Sequence, residues 1–326
     1  MAISQYTDQI DPQNIIAVMG KNWLYNTKLV QGAPNIFIRD VRPVEGSLTT
    51  TVRNKFFQGS SGQVVAPGAA ISSVGRVQNS EIHPIIWRDG AIDEDYKIMD
   101  VISKASGAQS MEAEYVQACN DAASQWFEDA FIKMIEGVGA AITANQTGSG
   151  AIVTLAGMIA AKAALADNGL VLQGGATLMN SAIYWKLAGL GVVAATSNTF
   201  GNAAQDAMVQ SGSLPETVVG LTPIMSDKVT AAPSSKNYVY FLGPNSVVVR
   251  GNDSADIRMA DKTVIKEQGM VTTLRLAFGL GARNATWGKA ASVNISDTDL
   301  STAANWSGSD TNDKYVRIAR YHTNES

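Results

Sequence analysis

Apolar residues recur at three- and four-residue spacing over one long stretch, roughly Ser110 to Val138. Tyr115, Cys119, Ala122, Trp126, Ala130 and Met134 mark a stripe, and Phe127, Phe131 and Ile135 widen it. Glu112, Glu114, Gln117, Asp121, Gln125, Glu128, Asp129 and Glu136 fill the opposite side. The spacing predicts a helix about 40 Å long, enough to span a whole domain as a spine. Gly137 and Gly139 read as its stop, and Asp93, Glu94 and Asp95 as an acidic helix start further upstream.

Before that helix the period changes. Residues 1–40 show no clear repeat and are broken by Pro12, Gly20, Gly32 and Pro34, so they read as an extended arm. From Val41 to Trp87 the period is two. Leu48, Thr50, Val52 and Phe56 fall on one side of a strand, and Thr49, Thr51, Arg53 and Lys55 on the other. Gln58–Gln63 is a turn cluster, after which Val64, Val65 and Ala69–Val74 resume an extended reading. This unit reads as a long two-stranded hairpin. Such a ribbon is marginally stable alone in water. With little core of its own, it is expected to lie on a neighbouring copy.

After the helix, Thr147–Gly150 reads as a linker. Leu155–Asp167 is an alanine-rich helix, Ala176–Met179 a buried strand, and a further helix runs through Tyr184, Trp185 and Leu187. Asn202–Gln210 suggests another short helix, and Leu214–Met225 reads as strand and turn. Asn237–Leu242 and Ser246–Arg250 are strands around Gly243–Asn245. Lys262–Lys266 and Met270–Leu280 are strands, 288–314 a polar surface loop, and Tyr315–Tyr321 a last strand. Helices mixed with strands that do not alternate as βαβ units predict an α+β fold.

Composition narrows the function. Charged residues make up 17% of the 326 positions, against about 25% in typical soluble chains. Charge is depleted where surface is buried against partners. The formal net charge of −4 argues against sequence-specific DNA binding, which favours a basic face. One cysteine allows no intrachain disulfide. The chain shows neither a secretory signal nor an apolar run long enough for a membrane helix.

The search for chemistry finds no constellation. His83 and His322 are the two histidines, and neither has a ligand partner at metal spacing. Cys119 lies on the apolar stripe, where it reads as a small core residue. Gly189–Ala194 matches a loose dinucleotide fingerprint but follows a helix rather than a strand. Gly281–Lys289 has the wrong spacing for a phosphate loop. Asp253, Asp256 and Asp261 read as solvated turns, and the six tryptophans do not alternate with basic residues as a stacking platform would. No catalytic residue, cofactor or metal is expected.

The order of parts is arm, hairpin, spine helix, mixed region and returning strands. In that order the chain resembles tailed-bacteriophage major capsid proteins with the Hong Kong 97-like fold. Val219–Val229 looks like that family's glycine–proline strand and polar turn, and Leu274–Asn284 like its late strand returning beneath the spine. The resemblance implies an arm at 1–40, an extended loop at 41–92, a peripheral domain with the spine helix at 93–148, an axial domain at 149–260, and return strands with a tail at 261–326. It implies a subunit interface using Arg53, Lys55, Phe56, Phe57, Val64, Val65, Phe200 and Leu214. The implied partners are other copies in hexamers and pentamers, a separate scaffold, a portal, cement or decoration proteins, and packaged double-stranded DNA held without sequence specificity. No membrane is involved, and the implied location is the virion capsid, assembled in the bacterial cytoplasm. Neither Lys55 nor any asparagine matches the crosslinking pair of some relatives, so covalent crosslinking is not expected. The alternatives are an encapsulin-like compartment shell, an α+β enzyme and a decoration protein.

Overall fold

The computed structural model describes residues 27–40, 46, 48–55, 77–95, 108–148, 153–164, 174–189, 193–194, 217–218, 220–229, 236–251, 256–264, 267–290, 295–309 and 315–324. The first elements are helix α1 (Lys28–Gly32), capped by the Thr27 hydroxyl on the Val30 amide, and strand β1 (Phe37–Asp40). Strands β2 (Leu48–Lys55) and β3 (Val77–Asp95) precede the long helix α2 (Ala108–Ala141). Next come β4 (Gln146–Thr147), α3 (Leu155–Ala163), β5 (Ala176–Met179) and α4 (Ser181–Gly189). Short strands β6 (Val193–Ala194), β7 (Thr217–Val218) and β8 (Thr222–Met225) follow. The chain then forms β9 (Lys236–Leu242), β10 (Val247–Arg250), β11 (Asp256–Val264) and β12 (Glu267–Ala282). It ends with β13 (Ala285–Trp287), α5 (Asp297–Ser301), β14 (Trp306–Gly308) and β15 (Ile318–Asn324).

Two sheets share α2. A six-stranded sheet runs β1-β10-β12-β3-β2, with β11 also on β12; a five-stranded sheet runs β4-β15-β9-β5-β8. Pairings are antiparallel except β1–β10, β4–β15 and β5–β8. The architecture is mixed α+β.

The apolar stripe of α2 dictates the packing. Phe127, Phe131, Met134, Ile135 and Val138 are fully buried. Phe127 meets Phe278 of β12 edge-on at 5.6 Å, and Phe131 meets Phe37 of β1 at 5.6 Å. Each buried side chain of this size contributes about 1.5–3 kcal/mol relative to exposure. The centre of the five-stranded sheet is buried on both faces, and its period of two shows it. Tyr240 and Leu242 of β9 join the core around α2, whereas Val239 and Phe241 join a second core beneath α3 and α4. Gly243–Asn245, between β9 and β10, is where the chain crosses from one sheet to the other. Asn245 takes φ 54°, its amide donates to Asn35 O at 2.8 Å, and Arg317 donates to Pro244 O at 3.0 Å.

Several expectations are corrected by these contacts. Asp93, Glu94 and Asp95 start no helix; they sit on β3 opposite Val271, Met270 and Gly269. Gly137 and Gly139 do not stop α2, which continues to Ala141. They are sites of close approach, because a Cβ at Gly139 would lie 2.8 Å from the Tyr240 ring. Thr147, read as the start of a linker, instead pairs with β15 together with Gln146. The alanine-rich helix is described only as Leu155–Ala163. The last part of the arm, 27–40, belongs to the body: β1 pairs with β10, and Ile36 and Phe37 are buried. The partner of β2 is Val77–Pro84; Val64, Val65 and Ala69–Val74 lie outside the described residues. The predicted 202–210 helix also lies outside them.

The stretch 288–314 departs most from expectation. Helix α5 opens with a reciprocal box, the Ser296 hydroxyl accepting from the Asp299 amide and the Asp299 carboxylate from the Ser296 amide. Leu300 and Trp306 are buried against α2, and Trp306 meets Trp287 edge-on at 4.9 Å. This stretch is therefore packed over its described residues.

Candidate functional site

Among the described residues no group of three or more His, Cys, Asp or Glu side chains is placed to hold a metal. Cys119 is buried on α2, and burial pushes its thiol up, away from the reactive thiolate. His83 is buried beside Glu81, their Nε2 and Oε2 atoms 3.8 Å apart.

A cleft of about 450 Å³ lies between α2, the start of α1 and the loop after β8. Asp121, Ser124, Gln125, Glu128 and Lys228 line it together with Thr27 and Leu29. Its charges are already engaged. Lys228 lies 2.9 Å from Asp129, and the Ser226 hydroxyl donates to Glu128 at 2.7 Å. Neither histidine nor cysteine is among the residues that line this cleft.

What the described surface does offer is area for contact. Trp185 of α4 is 59% exposed and Ile159 of α3 is 51% exposed; Met225 and Tyr315 are exposed as well. Both helices press one face on the second core and turn these residues outward. From sequence, Trp185 sits on a helix and reads, like the other tryptophans, as a core or interface residue. Its neighbour Tyr184 takes the buried side of α4, and Trp185, one residue on, turns off that face.

The second offering is the ribbon of β2 and β3. Residues 77–84 of β3 pair with β2, from Lys55↔Val77 to Leu48↔Pro84. Arg53 and Lys55 lie on β2 opposite Asn79 and Val77. Phe56, Phe57, Val64, Val65, Phe200 and Leu214 lie outside the described residues. Of the eight predicted interface positions, the two described ones thus share one strand of the hairpin.

No protein-family model matches the chain, and no curated protein sequence does. Solved structures do. The chain is similar to one in the capsid structure of the cyanophage P-SCSP1u, with a TM-score of 0.54 and 13% identity over 90% of this chain and 88% of that one. It is similar to a chain in the asymmetric unit of the mature capsid of bacteriophage PhiM1, with a TM-score of 0.52 and 10% identity over 90% and 86%. A chain in the capsid of Ralstonia phage GP4 matches with a TM-score of 0.51 and 10% identity over 76% and 83%. The chain has a phage-capsid fold. At such low identity the likeness is one of fold, carried by element order and packing rather than by matching side chains.

Proposed function

We propose that this chain is the major capsid protein of a tailed bacteriophage. In this reading copies of it assemble as pentamers and hexamers into an icosahedral shell around double-stranded DNA. The observation that carries the reading is the fold likeness to the cyanophage capsid chain over 90% of this chain and 88% of that one. The role is structural and needs no catalysis. Its place is the virion capsid.

In Hong Kong 97-like terms, the β2–β3 hairpin is the extended loop. Helix α2, the six-stranded sheet and the 285–309 module form the peripheral domain. The five-stranded sheet with α3 and α4 forms the axial domain. That assignment draws β15 into the axial part and leaves β10 in the peripheral part, which shifts the 149–260 boundary. Residues 27–40 of the expected arm belong to the body in this reading. Scaffold, portal and cement proteins and packaged DNA are the further partners of this reading.

The physics of assembly follows. A standard protein contact buries about 1,200–2,000 Å². No single contact need be tight, because a closed lattice multiplies many of them through effective concentration. Sedimentation velocity of the expressed chain tests the reading. Capsomer-sized or larger species are expected, and a lone monomer across concentration, salt and pH contradicts it.

A further inference from the structure

Strand β3 changes partner within its length. Residues 77–84 pair with β2, and residues 85–95 pair with β12, beginning at Ile85↔Gly279. In these registers the two ladders do not overlap. Strand β3 therefore passes from the body ladder to the hairpin ladder at Pro84–Ile85, and Pro84 brings no backbone N–H to the crossing. A two-stranded ribbon has little stability of its own, so its direction must be set by contacts at its root.

Three contacts meet there. The Ile82 amide donates to Thr286 Oγ1 at 3.1 Å. The Asn284 amide donates to Glu81 Oε1 at 3.1 Å. The His83 ring covers Gly281 so closely that a Cβ there would fall 2.2 Å from it. Glu81 and His83 are 1% and 2% exposed. All three body residues lie at the corner joining β12 to β13, where Asn284 turns the chain at φ 63°. Strand β13 is itself held by β14 and by Trp287 against Trp306.

We propose that this corner is a latch that sets the direction in which the β2–β3 hairpin leaves the body. Ile82 stands opposite Thr50 of β2, yet its N–H is directed to Thr286, towards the edge of β3 that β12 has left. Alternate residues of an antiparallel strand point their amides to opposite sides. The Thr286 hydroxyl therefore replaces the backbone acceptor that β12 supplies further along. Glu81 closes the latch from the hairpin side by accepting the amide of the turn. A swing of the hairpin would break both part-buried bonds at once, and an amide left unmet where water is scarce is disfavoured. The consequence rests on the shell reading: there, the hairpin's direction decides where it lands on a neighbouring copy.

Spin labels test the latch in the dilute, unassembled full chain. Thr50→Cys on β2 and Ala118→Cys on α2 are exposed positions, labelled in a Cys119→Ala background. Pulsed electron spin resonance then reads their separation. One narrow distance is expected in the parent. A broadened, shifted distribution is expected in Glu81→Ala/Thr286→Val, with the near-ultraviolet circular dichroism of the tryptophan pair retained. Glu81→Gln keeps an acceptor oxygen and should keep the narrow distance. If the double variant fails to fold, the near-isosteric Thr286→Val alone decides, and partial broadening is expected. A broad parent distribution, or a latch variant as narrow as the parent, overturns the proposal. So does broadening in Glu81→Gln equal to that in Glu81→Ala. The reading is taken on unassembled chains, so a failure to form particles would count against the shell and leave the latch standing.

Discussion

Gly137 and Trp306 share one contact: a methyl group on Gly137 would lie 2.8 Å from the Trp306 indole nitrogen and 2.0 Å from the Leu300 carbonyl oxygen. The same indole donates to that carbonyl at 2.8 Å. Helix α2 and the 295–309 module therefore touch where neither backbone can retreat. Gly137→Ala should destabilise the folded chain by about 3 kcal/mol, the upper end of overpacking costs. Chemical denaturation of the unassembled chain checks this, with loss of the tryptophan near-ultraviolet signal at lower denaturant.

Core and surface aromatics should separate cleanly. Phe127 is fully buried between Phe37 and Phe278, so Phe127→Ala should cost about 3–5 kcal/mol. Trp185 is 59% exposed, so Trp185→Ala should leave stability within about 0.5 kcal/mol. If shell contacts use that face, Trp185→Ala slows assembly while the melting temperature of the unassembled chain stays put. Equal losses in both unfolding experiments would contradict this division.

Asp40 and Arg250 tie β1 to β10. Arg250 donates to one Asp40 oxygen from Nε at 3.0 Å and from Nη2 at 2.8 Å, with both side chains mostly buried. Removing one partner leaves a charge in a poorly solvated place, which costs on the order of 3 kcal/mol. Asp40→Ala should lower the unfolding midpoint and speed tryptic cleavage at Arg39, because β1 is an edge strand. Cleavage at the parental rate would show that β1 is held by its apolar side chains instead.

Acid should loosen the 295–309 module first. A hydrogen bond from Lys289, and then the Ser296 amide, hold the Asp299 carboxyl below its ordinary value. A carboxylate depressed in the folded state adds stability above its unfolded value, near 3.9, and that stability is lost as pH falls through the folded value. Between about pH 5 and 8 this group should add no pH dependence. Below about pH 4 the tryptophan near-ultraviolet signal should weaken, and Asp299→Asn should remove that step.

Much of this architecture is legible from residue spacing, and the exceptions have physical causes. The α2 stripe is visible because a helix flanked by two sheets needs apolar residues at 3.6 spacing. Strands β9 and β10 show as β-branched and aromatic runs, and β5 as a short apolar one. Gly137 and Gly139 mislead because a glycine that permits close approach looks the same in sequence as one that ends a helix. Asp93–Asp95 mislead because acidic residues are tolerated on a two-stranded or edge ladder as well as at a helix start. The 288–314 stretch is polar overall, yet Ile295, Leu300 and Trp306 anchor it, and Ser296-x-x-Asp299 is a capping signal that was there to be read. The latch was invisible for a different reason. Glu81 and Thr286 are far apart in the chain, and only the fold brings β13 to the hairpin root.

Electron microscopy of the expressed chain, alone and with a scaffold protein from its own genome, tests the shell most directly. Closed particles of uniform size are predicted, built of five- and six-membered rings with each hairpin resting on an adjacent copy. Particles that never form, with every hairpin laid back along its own subunit, would contradict the account.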